Sequence, residues 1–259
     1  MSDETEIPLT GGNVNASVVR IGDTVRRAPS KHSANVHRLL MHLEQKDYPF
    51  SPRLLGMDDQ GREILTYLPG ETDFPATLWT DTDVIIRAAD MLRQFHDASA
   101  ELIGIDGSWA FSHSVREVIC HNDFAPYNMV FTDGLPTGVI DFDLAGPGPR
   151  LRDLAYLGYW LAPLSFTDGD MAMASLAELD AGNLRLKLLC STYGTDDFDG
   201  LLAMIAEVLA HMSSHEAVRK MIGDVAAQHL ADGGHFDHWG REAEQFANYR
   251  NQVFKNLIS

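Results

Sequence analysis

Apolar side chains recur along this chain at two spacings, alternating over short runs before residue 70 and following helical periodicity after it. Residues 7 to about 68 read as a small β-rich lobe. Its strands are Ala16 to Ile21 and Thr24 to Arg27, joined at the tight-turn signal Gly22-Asp23, and then Glu63 to Leu68. Between them Ser33 to Lys46 predicts a helix with Val36, Leu39, Leu40 and Leu43 as one apolar stripe and Ser33 as its cap. Pro69-Gly70 breaks the pattern and marks a hinge. Beyond it, Thr82 to Ala100 repeats Val84, Ile85, Ala88, Met91, Leu92 and Phe95 at helical spacing, and segments near 153–163, 171–190, 198–222 and 237–257 behave likewise. One interruption is not helical: Met129 to Thr132, a turn over Asp133-Gly134-Leu135-Pro136-Thr137, and Gly138 to Ile140 read as a hairpin. The reading is an α+β chain with an amino-terminal lobe at 1–68 and a mainly helical lobe at 69–259, without internal repeats.

Composition narrows the class. With 45% hydrophobic and 22% charged residues over 259 positions the chain is ordinary globular protein. Its acidic start, Met1 to Glu6, lacks the layout of a signal peptide, and the longest apolar run, Leu154 to Leu164, is too short to span a bilayer. A cytoplasmic protein without a membrane role is expected. Cys120 and Cys190 form neither a disulfide framework nor a metal spacing. A formal net charge of −17 argues against nucleic acid as a partner and favours a cationic small molecule. Any bound nucleotide would need magnesium and a local arginine to offset repulsion.

The densest chemistry lies in His121-Asn122-Asp123-Phe124-Ala125-Pro126-Tyr127-Asn128, followed after the hairpin by Ile140-Asp141-Phe142-Asp143. Phosphoryl transfer needs a carboxylate to orient the attacking hydroxyl and oxygen ligands for magnesium. Asp123 and Asn128 stand at the interval of the base and metal ligand in a kinase catalytic loop, and Asp141 follows where the second metal ligand would. A hairpin centred between Gly134 and Leu135 would set Asn128 opposite Asp141, with β-carbons about 5 Å apart. His121 reads as structural. Each residue alone has a blander reading as a solvated turn or cap; the ordered set does not.

At these residues the chain resembles the aminoglycoside phosphotransferase family of small-molecule kinases, with Asn122 where that family commonly has Gly. Leu151-Arg152-Asp153-Leu154-Ala155, Met91 to His96 and Leu65-Thr66-Tyr67-Leu68-Pro69-Gly70 are similar to further family segments. The resemblance implies a protein-kinase-like two-lobe fold, with nucleotide bound by lobe 1–68 and catalysis and acceptor binding in lobe 69–259. It implies ATP, with GTP as the alternative, together with Mg and a small-molecule alcohol acceptor. A cationic aminosugar is the leading acceptor, and amino alcohols, sugars, fructosamine-type amines and macrolides are permitted. Asp123 would be the catalytic carboxylate, and Asn128 and Asp141 the metal ligands. Backbone near Thr66 and Leu68 would meet the purine, with Leu65 at the back of the cleft. Arg26 would replace the strand lysine, with Arg27 as competitor because neighbouring strand residues face opposite sides. His37 occupies the position of the helix glutamate and could accept one bond from Arg26. Gly11-Gly12-Asn13-Val14-Asn15 could cover the phosphates. Asp143 would hold the following loop or reach a second ion, and Asp153 would cap the helix starting at Leu154. Asp168, Asp170, Glu178, Asp180, Asp196, Asp197 and Glu207 would supply acid to the acceptor side.

Two rivals follow from the same residues. His211, His215, His229, His235 and His238 could on spacing alone ligate zinc, although such histidines are more commonly solvated. The departures at His37, Asn122 and the glycine loop suggest instead a catalytically silent, kinase-like nucleotide-binding or regulatory module. Oligomeric state leaves no trace in the sequence.

Overall fold

The computed structural model describes residues 5–9, 18–105, 107–162 and 176–258. The glycine pair at 11–12, Asp168, Asp170 and Met171-Ala172-Met173 lie outside them, as do the side chains of Glu178 and Asp180.

An antiparallel sheet opens the fold: β1 (Ile7–Pro8), β2 (Val19–Ile21), β3 (Thr24–Arg27), β4 (Leu54–Met57) and β5 (Glu63–Thr66), in the order β1-β2-β3-β5-β4. Gly22, at φ 58°, provides the left-handed backbone that the β2–β3 turn requires. β5 stops at Thr66, earlier than the expected Leu68. β4 was not expected, since its Leu54-Leu55-Gly56-Met57 run hides the alternation behind a bulge next to Gly56. Pairing of β3 with β5 sets Arg27 directly across from Glu63.

Helix α1 (Ser33–Gln45) buries Val36, Leu39, Leu40 and Leu43, as its stripe predicts. Ser33 does not cap it. His32 holds the cap position without a side-chain bond, and the Ser33 hydroxyl donates to Glu63 Oε1 at 2.5 Å. The oxygen that would accept at a cap instead takes Ser30 N–H at 2.8 Å, while its proton goes to the buried carboxylate, a strong acceptor.

After Gly70 the chain is tied to the hairpin by a reciprocal pair of backbone bonds between Glu71 and Phe131, each 2.8 Å. Helix α2 (Thr82–Ser99) is capped by Asp81, which accepts from Asp83 N–H, and its apolar face is fully buried. Then come β6 (Val118–Cys120), β7 (Met129–Thr132), β8 (Leu135–Val139) and β9 (Gly146–Gly148), with β6 pairing β9 and β7 pairing β8. Helices α3 (Arg150–Leu161), α4 (Leu176–Tyr193), α5 (Phe198–Ser213), α6 (His215–Ile222), α7 (Asp224–Asp232) and α8 (His235–Ile258) complete the described chain. α5 packs on α3 and α8, and α4 on α2. The expected single helix over 198–222 is two. Ser214 leaves helical geometry and its hydroxyl accepts from Ala217 N–H at 3.3 Å, so a serine cap overrides a continuous apolar period. No helix among the described residues is long and apolar enough to cross a membrane.

The hairpin register corrects the expected one. The turn is Asp133-Gly134, at φ 52° and 79°, and a bulge lies between Val130 and Phe131. Met129 therefore faces Val139, and Ile140 N–H donates to Asn128 O at 2.9 Å. Asn128 stands opposite Ile140, one residue before Asp141.

Candidate active site

Strand β6 is wholly buried and delivers His121, Asn122 and Asp123 at its carboxyl end. The loop it enters is pinned by a single carboxylate. Asp153 lies within the first turn of α3 and accepts from His121 N–H at 2.6 Å, Asn122 N–H at 2.8 Å and His96 Nε2 at 3.0 Å. It anchors the loop after β6 instead of capping a helix. Burial works against its charge, but these donors hold it below the ordinary carboxylate value.

Asn122 adopts φ 64°, a left-handed conformation that asparagine tolerates better than most residues, which accounts for an amide where glycine is common. Its side chain donates to Leu144 O at 2.8 Å and accepts from Arg152 Nε at 2.7 Å. His121 donates from Nε2 to Ile140 O at 3.0 Å and meets the Phe142 ring at 4.7 Å with a 57° tilt, and burial lowers its pKa to about 4. It is a neutral structural imidazole.

Pro126 opens a short 3-10 turn ending at Asn128. That turn brings the Asn128 amide nitrogen back to Asp123, 2.8 Å from Oδ2 and 3.0 Å from the backbone oxygen. With Nδ2 spent, Oδ1 is the end of Asn128 that can serve a cation. The other Asp123 oxygen accepts from the Tyr127 hydroxyl. Burial above all, and then the charges of Asp141 and Asp153, push the Asp123 carboxyl up to about 7 against the opposing bonds from Tyr127 and Asn128.

Asp141 has φ 64° and starts the 3-10 turn Phe142–Leu144, so the left-handed step re-aims a side chain that strand pairing alone would not have placed here. Phe142 is buried against Phe95 and His121 and fixes that turn. Asp141 stays about half exposed at 49% of its side-chain surface, yet the protein packed around it and the neighbouring Asp143 raise its pKa, and Arg27 opposes them.

The strand arginine facing these acids is Arg27. Its Nη2 donates to Asp143 Oδ1 at 2.7 Å, Nη1 lies 3.8 Å from Asp141 Oδ1, and Nε donates to Glu63 Oε2 at 2.6 Å. Arg26, the expected candidate, turns to the other face of β3, donating to Thr24 Oγ1 at 2.6 Å and lying 3.8 Å from Asp58. Alternation allows only one of the pair inside, and three carboxylates select Arg27. His37 does not meet Arg26: its Nε2 donates to Glu63 Oε1 at 2.8 Å.

Leu65 is buried on the lobe interior. Thr66 is committed to Arg53, giving its N–H to Arg53 O at 3.0 Å and taking Arg53 N–H on Oγ1 at 2.8 Å. Leu68 lies part-buried beside Gly138. Of the acids offered for the acceptor, Asp197 caps α5 through Gly200 N–H and Glu207 accepts from His113. The side chains near Asp123 are aromatic: the Tyr127 ring is 5.1 Å from Trp160, and its hydroxyl is 2.8 Å from that of Tyr156. Tyr127, Tyr156 and Glu63 escaped sequence reasoning. For Tyr127 the signal was present, a hydroxyl one residue before Asn128.

The zinc alternative finds no support. His211 contacts Met221 Sδ and the Phe111 ring, while His215 and His235 pack on Phe236. Among the described residues the one grouping with metal-ligand spacing is His96, Cys120 and Asp153. It is fully buried, and both His96 nitrogens are taken, by Asp153 and by Tyr193 OH at 2.7 Å.

A family model described as a phosphotransferase enzyme family matches residues 105–185. Trifolitoxin immunity protein of Rhizobium leguminosarum bv. trifolii is 34% identical over 197 residues, 73% of this chain and 74% of that protein. Among solved structures, macrolide 2'-phosphotransferase of Brachybacterium faecium superposes with TM-score 0.58 at 15% identity, covering 89% of this chain and 91% of its own. An ADP-bound aminoglycoside phosphotransferase superposes with TM-score 0.58 at 13% identity over 95% of both chains. At such identities these likenesses speak for the fold, a protein-kinase-like one with a sheet-bearing amino-terminal part and a helical remainder.

Proposed function

The chain belongs to the aminoglycoside phosphotransferase family, whose members are small-molecule kinases, and on that premise we propose that it moves the γ-phosphoryl group of ATP to a hydroxyl of a small molecule with magnesium as the required ion. The observation that carries this reading is the gathering of Asp123, Asn128 and Asp141. Asn128 bonds Asp123 directly, and the charge of Asp141 is felt at Asp123.

The donor set fits a hard cation: the Asp141 carboxylate, Asn128 Oδ1 and, beside them, Asp143 are all oxygen ligands. Magnesium there would neutralise charge developing on the phosphate oxygens. Asp123 orients the acceptor hydroxyl and takes its proton as the new P–O bond forms and the γ-phosphorus parts from the bridging oxygen that leaves with ADP, and a carboxyl poised near 7 suits that step. Arg27 contributes a guanidinium toward the phosphates. Nucleotide lies between the lobes 1–68 and 69–259, with its base against Leu65 and the backbone at Leu68. Thr66 contributes little, because its N–H is already given to Arg53.

The acceptor is an alcohol whose carrier passes the aromatic surface of Tyr127 and Trp160. A cationic aminosugar remains the leading candidate on the net charge of −17, since a ring face attracts cations as well as apolar groups. The silent-module reading loses much of its motive, because Glu63 supplies the buried carboxylate that position 37 lacks.

Thermal unfolding with ATP or GTP, with and without magnesium, tests the proposal on wild type and Asp141→Ala. Wild type should gain a magnesium-dependent shift that Asp141→Ala lacks, and nucleotide consumption against a panel of cationic and neutral alcohols should collapse in Asp123→Asn. A shift indifferent to the ion would favour the silent module.

A further inference from the structure

In this sheet a buried glutamate and an arginine are direct cross-strand partners, and the arginine's far end stands on the acids of the candidate metal site. Resting on the nucleotide reading above, we propose that Glu63 of β5, held by Ser33 and His37 of α1, is the positioning residue for Arg27, so that a strand carboxylate, not a helix one, aims the phosphate-side cation.

Glu63 is fully buried, and a carboxylate there stays ionised only if its lone pairs are met. Three donors meet them: Arg27 Nε at 2.6 Å, Ser33 Oγ at 2.5 Å and His37 Nε2 at 2.8 Å. Binding through Nε fixes the plane of the guanidinium. The two Nη groups then project toward Asp143 at 2.7 Å and Asp141 at 3.8 Å. A lysine at 27 would present one point charge and could serve one end or the other, whereas the planar fork of arginine serves both.

The residue types explain one another. With the carboxylate on β5, a glutamate at 37 would set two negative charges against each other in a buried space, and an N–H donor is what the site takes instead. His37 supplies it. Ser33, one turn earlier on the same helix face, supplies the second. A glutamate that merely pinned strand to helix would not require an arginine whose remaining nitrogens reach the metal-site acids.

Calorimetric titration of the full chain with magnesium ADP decides the matter, using wild type, Arg27→Gln, Glu63→Gln, the double variant and His37→Asn, each with its unfolding midpoint measured. Arg27→Gln and Glu63→Gln should each weaken binding by roughly tenfold, and the double variant should bind no worse than Arg27→Gln alone, because Glu63 acts through Arg27. A folded Glu63→Gln that binds like wild type, or losses that multiply in the double variant, would overturn the assignment. Should Glu63→Gln fail to fold, His37→Asn carries the test: it should weaken binding about two- to fivefold, and that loss should vanish when Arg27 is also Gln. Unchanged binding in folded His37→Asn counts against the proposal. Wild type that binds no magnesium ADP would remove the nucleotide reading itself and this inference with it.

Discussion

The phenol of Tyr127 donates to Oδ1 of Asp123, and the hydroxyl of Tyr156 lies 2.8 Å behind it. Oδ2 of the same carboxylate accepts from Asn128 Nδ2, so both oxygens are oriented before any acceptor arrives. The Tyr127 bond favours the ionised form, opposing the burial that drives Asp123 up to about 7. Tyr127→Phe should therefore raise the Asp123 pKa further and move the acid limb of kcat/KM, expected near pH 7 for wild type, to higher pH. Rates of nucleotide consumption between pH 5.5 and 9 measure it. A variant with lower activity but an unmoved limb would show that the phenol only packs, and a shift to lower pH would contradict the proposed electrostatics.

Asp123 should also cost stability in its active form. A carboxyl whose folded pKa stands near 7, against an ordinary value near 4, keeps in the folded state a proton that the unfolded chain has already released. Its stabilising contribution is complete below about pH 4 and is lost as pH rises through 7. Asp123→Asn has no such titration. Relative to wild type it should gain stability between pH 5 and pH 8, on the order of 2 to 4 kcal/mol by the linkage relation. Urea unfolding of both proteins at the two pH values gives the difference directly, and a difference that stays flat would mean the carboxyl is not held up in the folded protein.

What was readable without coordinates shares one property, contiguity. Asp123, Asn128 and Asp141 lie in a single loop and hairpin, so their spacing alone reports their juxtaposition, and the apolar stripe of α1 is likewise local. The Arg27–Glu63 pair is not local. It spans 36 residues and depends on β5 entering between β3 and β4, an order that strand patterns do not encode. Without that order the choice between Arg26 and Arg27 had only alternation to go on. The hairpin register failed by one residue for a related reason: the bulge at Thr137 absorbs a residue of β8, and an Asp-Gly turn competes with the neighbouring Gly-Leu step. Asp153 looked like a cap because the helix was expected to start at Leu154, whereas α3 begins at Arg150 and puts Asp153 inside its first turn. Its actual partners, two N–H groups and an imidazole from other elements, are tertiary.

Asn122 offers a separation of backbone from side-chain effects in the loop that carries Asp123. Its φ of 64° penalises any β-carbon, while its amide bridges Leu144 O and Arg152 Nε, the latter on a guanidinium only 3% exposed. Asn122→Gly removes the bridge but relieves the backbone, and should cost about 1 to 3 kcal/mol, the penalty for leaving buried polar partners unmet. Asn122→Ala removes the bridge and keeps a β-carbon that has no polar group to compensate it, adding about 1 kcal/mol. Denaturant midpoints should therefore fall in the order wild type, Gly, Ala. Activity should follow the bridge instead, because Arg152 and Leu144 hold the residue next to Asp123 whatever the backbone strain. Both variants should lose turnover to a similar degree while differing in stability. If alanine proves as stable as glycine, the left-handed backbone is not retained in the absence of the amide; if glycine retains full turnover, the bridge to Arg152 has no part in placing Asp123.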